Sequence, residues 1–302
     1  MSVKINNLCK IYGEQKAVNQ ISFEAHPGEI LGFLGPNGAG KSTTMKISTG
    51  YLSPSSGTVE ICGIDVTENP LQARAKVGYL PENNPLYLDM YVHEYLRFAG
   101  KVQGLRGSFL AKRVSKVVEM CGLEREQNKK IGQLSKGYKQ RVGLAQAFIH
   151  DPEVLILDEP TTGLDPNQLV EIRQLIKEVG KNKTVIFSSH IMQEVQALCD
   201  RVIIIDQGNI ITDHPINDLK YKLEKQHILL EIQFEADLKP ILDLEGVEAV
   251  EEIGALKYRI VATGQQDLRY FIFQAAAQNN IPLIELSREQ WSIEKAFQEL
   301  TS

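Results

Sequence analysis

Cysteine is scarce in this chain: Cys9, Cys62, Cys121 and Cys199 are widely separated, and no CxxC pair exists. That scatter makes a zinc cluster of the usual ligand spacing and a disulfide framework both weak readings. Reduced, buried thiols of a cytosolic protein are the expectation. Long apolar runs are missing too. No stretch approaches the roughly 18–20 residues that a membrane-crossing helix needs, so a membrane role would require a separate spanning polypeptide. Excess positive charge is absent. A net charge of −5 argues against nucleic acid as a bulk electrostatic partner. There is no internal repeat, low-complexity tract or sustained heptad run, which excludes solenoids and long coiled coils. The opening "MSVKINNLCKIYG" alternates like a strand and does not read as a signal peptide.

What is present is an ordinary globular mix, 43% hydrophobic and 24% charged over 302 residues, which predicts about two domains. Residues 220–302 carry nine Lys/Arg and fourteen Asp/Glu, so the whole net charge falls there, and the shift predicts a boundary near 218. Before it the pattern is α/β. Strands are predicted at 2–8, 19–25, 29–35, 77–81, 153–160, 183–188, 202–206 and 209–212. Helices are predicted at 42–49, within 87–120, and at 136–148, 167–179 and 191–199. The continuous apolar "EVLILDEP" predicts a strand of a parallel sheet covered on both faces. The tail reads as strand, helix, two strands, helix, strand, then a closing helix over 292–300 with Trp291 in a core. Its β-α-β-β-α-β order is compatible with a ferredoxin-like module.

"GPNGAGKST" fits G-x-x-x-x-G-K-[ST] between a predicted strand and a predicted helix. Gly35, Pro36, Asn37, Gly38, Ala39, Gly40, Lys41, Ser42 and Thr43 form this loop. Its glycines let the backbone wrap a phosphate, and its N–H groups and the helix dipole point at it. Lys41 supplies positive charge to the β- and γ-phosphates, and Ser42 can hold Mg²⁺. The strand "VLILDEP" delivers Asp158 to the edge of such a site, where it can hold Mg²⁺ through water. Glu159 follows it, next in line to polarise an attacking water. A second stretch, "LSKGYKQR" at 134–141, again sets a hydroxyl, a lysine and a glycine ahead of a helix. One chain thus offers two phosphate grips.

Over residues 3–215 these motifs resemble the nucleotide-binding subunit of an ATP-binding-cassette (ABC) transporter. "GPNGAGKST" is similar to the Walker A motif, "LILDEP" to Walker B, "LSKGYKQR" to the family signature, "GLD" at 163–165 to the D-loop and "SSH" at 188–190 to the switch histidine. "YLPENNPLYLDMYVHEY" and "LSKGYKQRVGLAQAF" resemble the drug-export and gliding-motility branch. The resemblance implies a P-loop cassette of residues 1–218. It has a RecA-like core, a β-subdomain and an inserted helical subdomain at about 87–150, with 219–302 as a small α+β accessory domain. It implies ATP and Mg²⁺ as ligands, with Tyr12 stacking on adenine and His190 at the γ-phosphate. It also resolves the two grips. Cassettes pair head to tail, so Ser135 and Gly137 hold the nucleotide bound by the partner's Walker A. The expected partners are a second cassette, an identical chain, and a separate transmembrane permease, with no nucleic acid. The expected location is the cytoplasmic face of the cell membrane, and the expected task is ATP-driven export. The alternative is a soluble ABC ATPase that acts as an assembly switch.

Three positions depart from the family pattern. Lys136 stands where a glycine is usual and is expected to be solvated. Tyr138 replaces a glutamine. Glu82 occupies the place of the glutamine that senses Mg²⁺ and contacts the membrane subunit, which puts a carboxylate near the metal. Two residues have plainer readings beside the functional ones: Tyr12 as strand packing, and Asp165 as a helix N-cap before Pro166.

Overall fold

The computed structural model describes residues 1–217, 226–263 and 266–289. The chain divides into two compact units, Met1–Ile216 and Asn217–Ser302.

In the first unit, β1 (Val3–Tyr12) and β2 (Gln15–Ala25) form a long hairpin that turns at Gly13, a residue in the left-handed region. After β3 (Ile30–Leu34) and α1 (Lys41–Ser48) come β4 (Ser56–Ile61), β5 (Ile64–Asp65), α2 (Pro70–Ala75) and β6 (Val77–Leu80). The sequence pattern announces neither β4, β5 nor α2. Only Val59 and Ile61 of β4 are buried, too few for a legible alternation. Helices α3 (Val92–Val102), α4 (Gly107–Met120) and α5 (Lys136–Phe148) follow. The predicted helical stretch 87–120 is therefore two helices, broken where Gly104 takes a positive φ. Then come β7 (Val154–Asp158), α6 (Pro166–Gly180), β8 (Thr184–Ser189), α7 (Met192–Leu198), β9 (Arg201–Asp206) and β10 (Asn209–Pro215).

Two sheets result. One is antiparallel, in the order β2-β1-β4-β5; the other runs β10-β9-β3-β8-β7-β6. In the second, only β10 is antiparallel to its neighbour. Every residue of β3, β7 and β8 is buried, as a parallel sheet covered on both faces requires. Val3, Ile5 and Val59 of one sheet share a core with Leu31, Phe33 and Ile156 of the other. α3 packs on α4 and α5. Buried Arg113 of α4 donates from Nε to Ile149 O at 2.9 Å and from Nη2 to Phe148 O at 2.7 Å, closing the carbonyl end of α5.

The second unit holds β11 (Gln226–Ile232), a short helix (Lys239–Leu242), β12 (Val247–Gly254), β13 (Lys257–Ala262), a helix (Arg269–Gln278) and β14 (Leu283–Glu289). Its antiparallel sheet runs β12-β13-β11-β14. Together these give a split β-α-β arrangement of the ferredoxin-like kind. Ile228, Leu230, Ile260 and Ile272 lie in its core. The predicted closing helix 292–300 and Trp291 lie outside the described residues.

Candidate active site

β3 is buried throughout and runs into Gly35, so the chain must turn at the edge of the parallel sheet before α1 begins. Gly40 makes that turn at φ 110°, a conformation that L side chains rarely adopt. A Cβ there would lie 2.5 Å from Ala17 O, so the loop also presses on β2. Gly38 takes φ 84°, with open space around it. The loop therefore presents its backbone at the first turn of α1, where N–H groups lack helical partners.

Lys41 opens α1 and is 6% exposed. Its Nζ donates to Gly35 O at 2.8 Å and Pro36 O at 3.2 Å, and lies 3.8 Å from Glu159 Oε1. Burial pulls its pKa below the ordinary lysine value, while Glu159, Asp158 and Glu82 pull it back. The ammonium thus sits among three carboxylates in a partly dry site.

β7 ends at Asp158, which is 1% exposed and accepts from Ser188 Oγ at 2.6 Å. The same Ser188 Oγ accepts from Glu159 N at 3.0 Å, so one hydroxyl on β8 ties both acidic residues to the sheet edge. Glu159 has φ 52°, a strained position for a non-glycine residue. That turn brings its carboxylate back to the loop. Thr162 Oγ1 donates to Glu159 Oε2 at 3.0 Å, and His190 Nδ1 lies 2.9 Å from the same oxygen. Where the carboxylate is the acceptor, this contact requires the hydrogen on Nδ1.

One cleft of about 430 Å³ is lined by Asn37, Gly38, Gly40, Lys41, Ser42 and Thr43 on one side and by Glu82, Glu159, Thr162 and His190 on the other; buried Asp158 does not line it. Glu82 is exposed at its rim. Gly35, Pro36 and Ala39 form the back of the loop: the first two accept from Lys41, and Ala39 O accepts from Gly208 N at 3.0 Å. Tyr12, Ser135 and Gly137 do not line this cleft. Tyr12 ends β1 half exposed, with the Lys10 ammonium 5.3 Å from its ring centre. Ser135 caps α5, its Oγ accepting from Tyr138 N at 3.4 Å. Gly137 is packed against the Gln168 side chain of α6, and exposed Lys136 lies against Gly163. Asp165 is the N-cap of α6, accepting from Gln168 N at 2.9 Å ahead of Pro166. Sequence reading missed Ser188 and Thr162. Ser188 sits inside the quoted "SSH", and Thr162 falls between the quoted "LILDEP" and "GLD", but a hydroxyl carries no signal until its partner 30 or 3 positions away is placed beside it.

A phosphate-wrapping turn facing a strand that ends in two carboxylates defines a P-loop ATPase. The family model described as "ABC transporter" matches residues 18–162. The linearmycin resistance ATP-binding protein LnrL of Bacillus subtilis (strain 168) is 36% identical, covering 99% of this chain and 98% of that protein. The bacitracin transport ATP-binding protein BcrA of Bacillus licheniformis is 34% identical, covering 99% and 96%. Among solved structures, the dimeric post-hydrolysis state of the ATP-binding cassette MJ0796 bound to ADP and Pi superposes with a TM-score of 0.65 at 28% identity, over 71% of this chain and 98% of that one. The chain belongs to the ABC transporter ATP-binding proteins and is the ATP-hydrolysing subunit of such a transporter.

Proposed function

We propose that this cassette drives an exporter, working as a pair of identical chains on a separate membrane permease at the cytoplasmic face of the membrane. The cleft where the phosphate loop, Glu159 and His190 meet supports the ATPase part of this reading, and the names of the resistance and transport relatives support the export part. Lys41 and the loop N–H groups hold the β- and γ-phosphates. Water attacks the γ-phosphorus, its proton passes to the Glu159 carboxylate, and the β-phosphate oxygen leaves with ADP. His190 and Thr162 hold that carboxylate in line, and Asp165 meets the partner cassette. Positioning and electrostatics supply most of the acceleration. Tyr12 stacks on adenine.

Mg²⁺ fits the donors present. Ser42, Asp158 and Glu82 offer hard oxygen atoms, while no group of three or more His, Cys, Asp or Glu among the described residues forms a cage. That is the pattern of an ion held by a few protein oxygens, water and substrate phosphates. When bound, it neutralises charge between the phosphates.

Ser135 and Gly137 hold the γ-phosphate of ATP bound by the second copy, in keeping with their place outside their own chain's cleft. Residues 1–218 are the ATPase domain, with a helical subdomain at about 87–150, and 219–302 are an accessory domain. No helix among the described residues is long and apolar enough to cross a membrane. A groove of about 590 Å³ between the sheet edge and α3 exposes the rings of Tyr51, Tyr87 and Phe98. Apolar surface of this kind marks an interaction site. Pro81 lines that groove and Glu82 lines the ATP cleft, so a permease helix seated in the groove would be joined to the site through one peptide bond. The relatives named for linearmycin resistance and bacitracin transport support a drug-like cargo.

The test is purification of the tagged chain from solubilised membranes. An integral membrane protein should co-purify in stoichiometric amount and raise or regulate its ATPase activity. Recovery from the soluble fraction alone, with no membrane partner, would favour the assembly-switch reading.

A further inference from the structure

Glu194 of α7 is a buried carboxylate with no role in the mechanism above. It is 3% exposed, yet no lysine, arginine or histidine pairs with it among the described residues. Burying a carboxylate without a cation is costly, and proteins keep such a group where it does something that an apolar residue cannot. Its contacts say what. A single oxygen, Oε2, accepts two hydroxyl protons: from Thr161 Oγ1 at 2.5 Å and from Ser189 Oγ at 3.0 Å. Both donors are buried, at 3% and 0% exposure.

The two donors flank the reacting machinery. Thr161 lies two residues after Glu159, with only Pro160 between them, and the next residue, Thr162, donates to Glu159 Oε2 at 3.0 Å. Ser189 directly precedes His190, and its Oγ also accepts from Ile191 N at 3.0 Å, which shapes the bend after β8 that carries the imidazole. The chain leaving β7 and the chain leaving β8 are therefore tied to one atom. The 2.9 Å contact between His190 Nδ1 and Glu159 Oε2 bridges those same two chains.

We infer that Glu194 is a positioning residue: its Oε2 clamps Thr161 to Ser189 and so holds Glu159 and His190 in register for hydrolysis. This rests on the reading of Glu159 and His190 as the hydrolytic pair. The clamp acts on geometry and not on net charge, because one oxygen takes both protons. A glutamine amide oxygen placed there can accept the same two hydrogen bonds, whereas an alanine can accept none.

The experiment compares E194A and E194Q in the purified full chain, with kcat and KM for ATP hydrolysis and with the Kd for a fluorescent ATP analogue. Loss of register should lower kcat of E194A by about 10- to 100-fold, since small misplacements of reacting groups have effects of that size. Nucleotide Kd should stay within about threefold of wild type, because the phosphate loop is untouched. E194Q should recover most of the lost kcat. Loss of nucleotide binding in parallel with kcat, a wild-type kcat in E194A, or an E194Q as slow as E194A would each overturn the clamp. If E194A does not fold, T161V and S189A probe the same two bonds singly and together. Each should lower kcat with Kd unchanged, and wild-type kcat in the double variant overturns the proposal. E159Q, measured alongside, keeps the two readings apart. Normal turnover in E159Q removes the hydrolytic pair, whereas normal turnover in E194A removes only the clamp.

Discussion

Glu159 occupies an unfavourable backbone position, with φ 52°, and its side chain is almost wholly buried. Both costs are offset locally. Ser188 takes its N–H, Thr162 donates to its carboxylate, and Lys41 lies at 3.8 Å. A carboxylate held this firmly and this close to the phosphate loop is suited to accepting a proton from water. Replacing Glu159 by Gln keeps the shape and removes the basic charge. Turnover should fall by about 10²- to 10⁴-fold, the usual worth of a positioned base. ATP should still bind, and an ATP-dependent dimer should accumulate on gel filtration. Single-turnover hydrolysis at the wild-type rate would rule Glu159 out as the base.

At the scale of elements, the site depends on how β3 hands over to α1. Gly38 and Gly40 both have positive φ, but they differ in surroundings. Gly38 has nothing within 4 Å of a built Cβ, while at Gly40 that atom would lie 2.5 Å from Ala17 O. Gly38→Ala should therefore cost only backbone strain, about 1–2 kcal/mol. Gly40→Ala adds a clash with β2 that backbone must move to relieve, so it should lower the melting temperature more and weaken ATP binding severely. Thermal melts and titration with a fluorescent nucleotide would check the ranking, and equal effects of the two substitutions would contradict it. α6 repeats the same economy of local chemistry. Asp165 accepts from Gln168 N at 2.9 Å and Pro166 sets the first turn, so the helix start needs no help from elsewhere.

For the whole molecule, the cleft of one chain holds the phosphate loop, while Ser135 and Gly137 lie outside it. On the proposed shared-site arrangement, Lys41→Ala would remove one phosphate grip and Ser135→Arg would block the other by bulk and misplaced charge. Each variant alone should be nearly inactive. A mixed dimer has one site with both defects and one with neither, so mixing should restore measurable ATPase activity, provided subunit exchange is confirmed with two affinity tags. No recovery after proven exchange would mean that the sites are not shared or that both must fire together. The second unit has its own core of Ile228, Leu230, Ile260 and Ile272, and every residue lining the cleft precedes it. Deleting residues 219–302 should accordingly leave the Kd for ATP within a few-fold, about 1 kcal/mol or less. Complete loss of binding by the folded, truncated chain would make the tail part of the catalytic fold.

Legibility followed the distance over which each feature is encoded. The loop between β3 and α1, the buried run of β7 and the cap of α6 are contiguous, so glycines, an apolar stretch and an Asp-Pro pair declare them in the sequence. In the tail, β11 and β13 bury apolar residues of their own and were readable for the same reason. The strands β4 and β5 were not, since they bury too few side chains to leave a pattern. The sequence by itself determined a P-loop cassette and the residue types that its chemistry uses. Only the tertiary structure decided that one Ser188 hydroxyl would bind Asp158 and the Glu159 amide, and that Glu194 would take the protons of both Thr161 and Ser189. The reason is physical: a hydrogen bond spanning 30 positions exists only after parallel strands β7 and β8 pair in register, with Asp158 opposite Ser188. No local pattern of residues encodes that pairing.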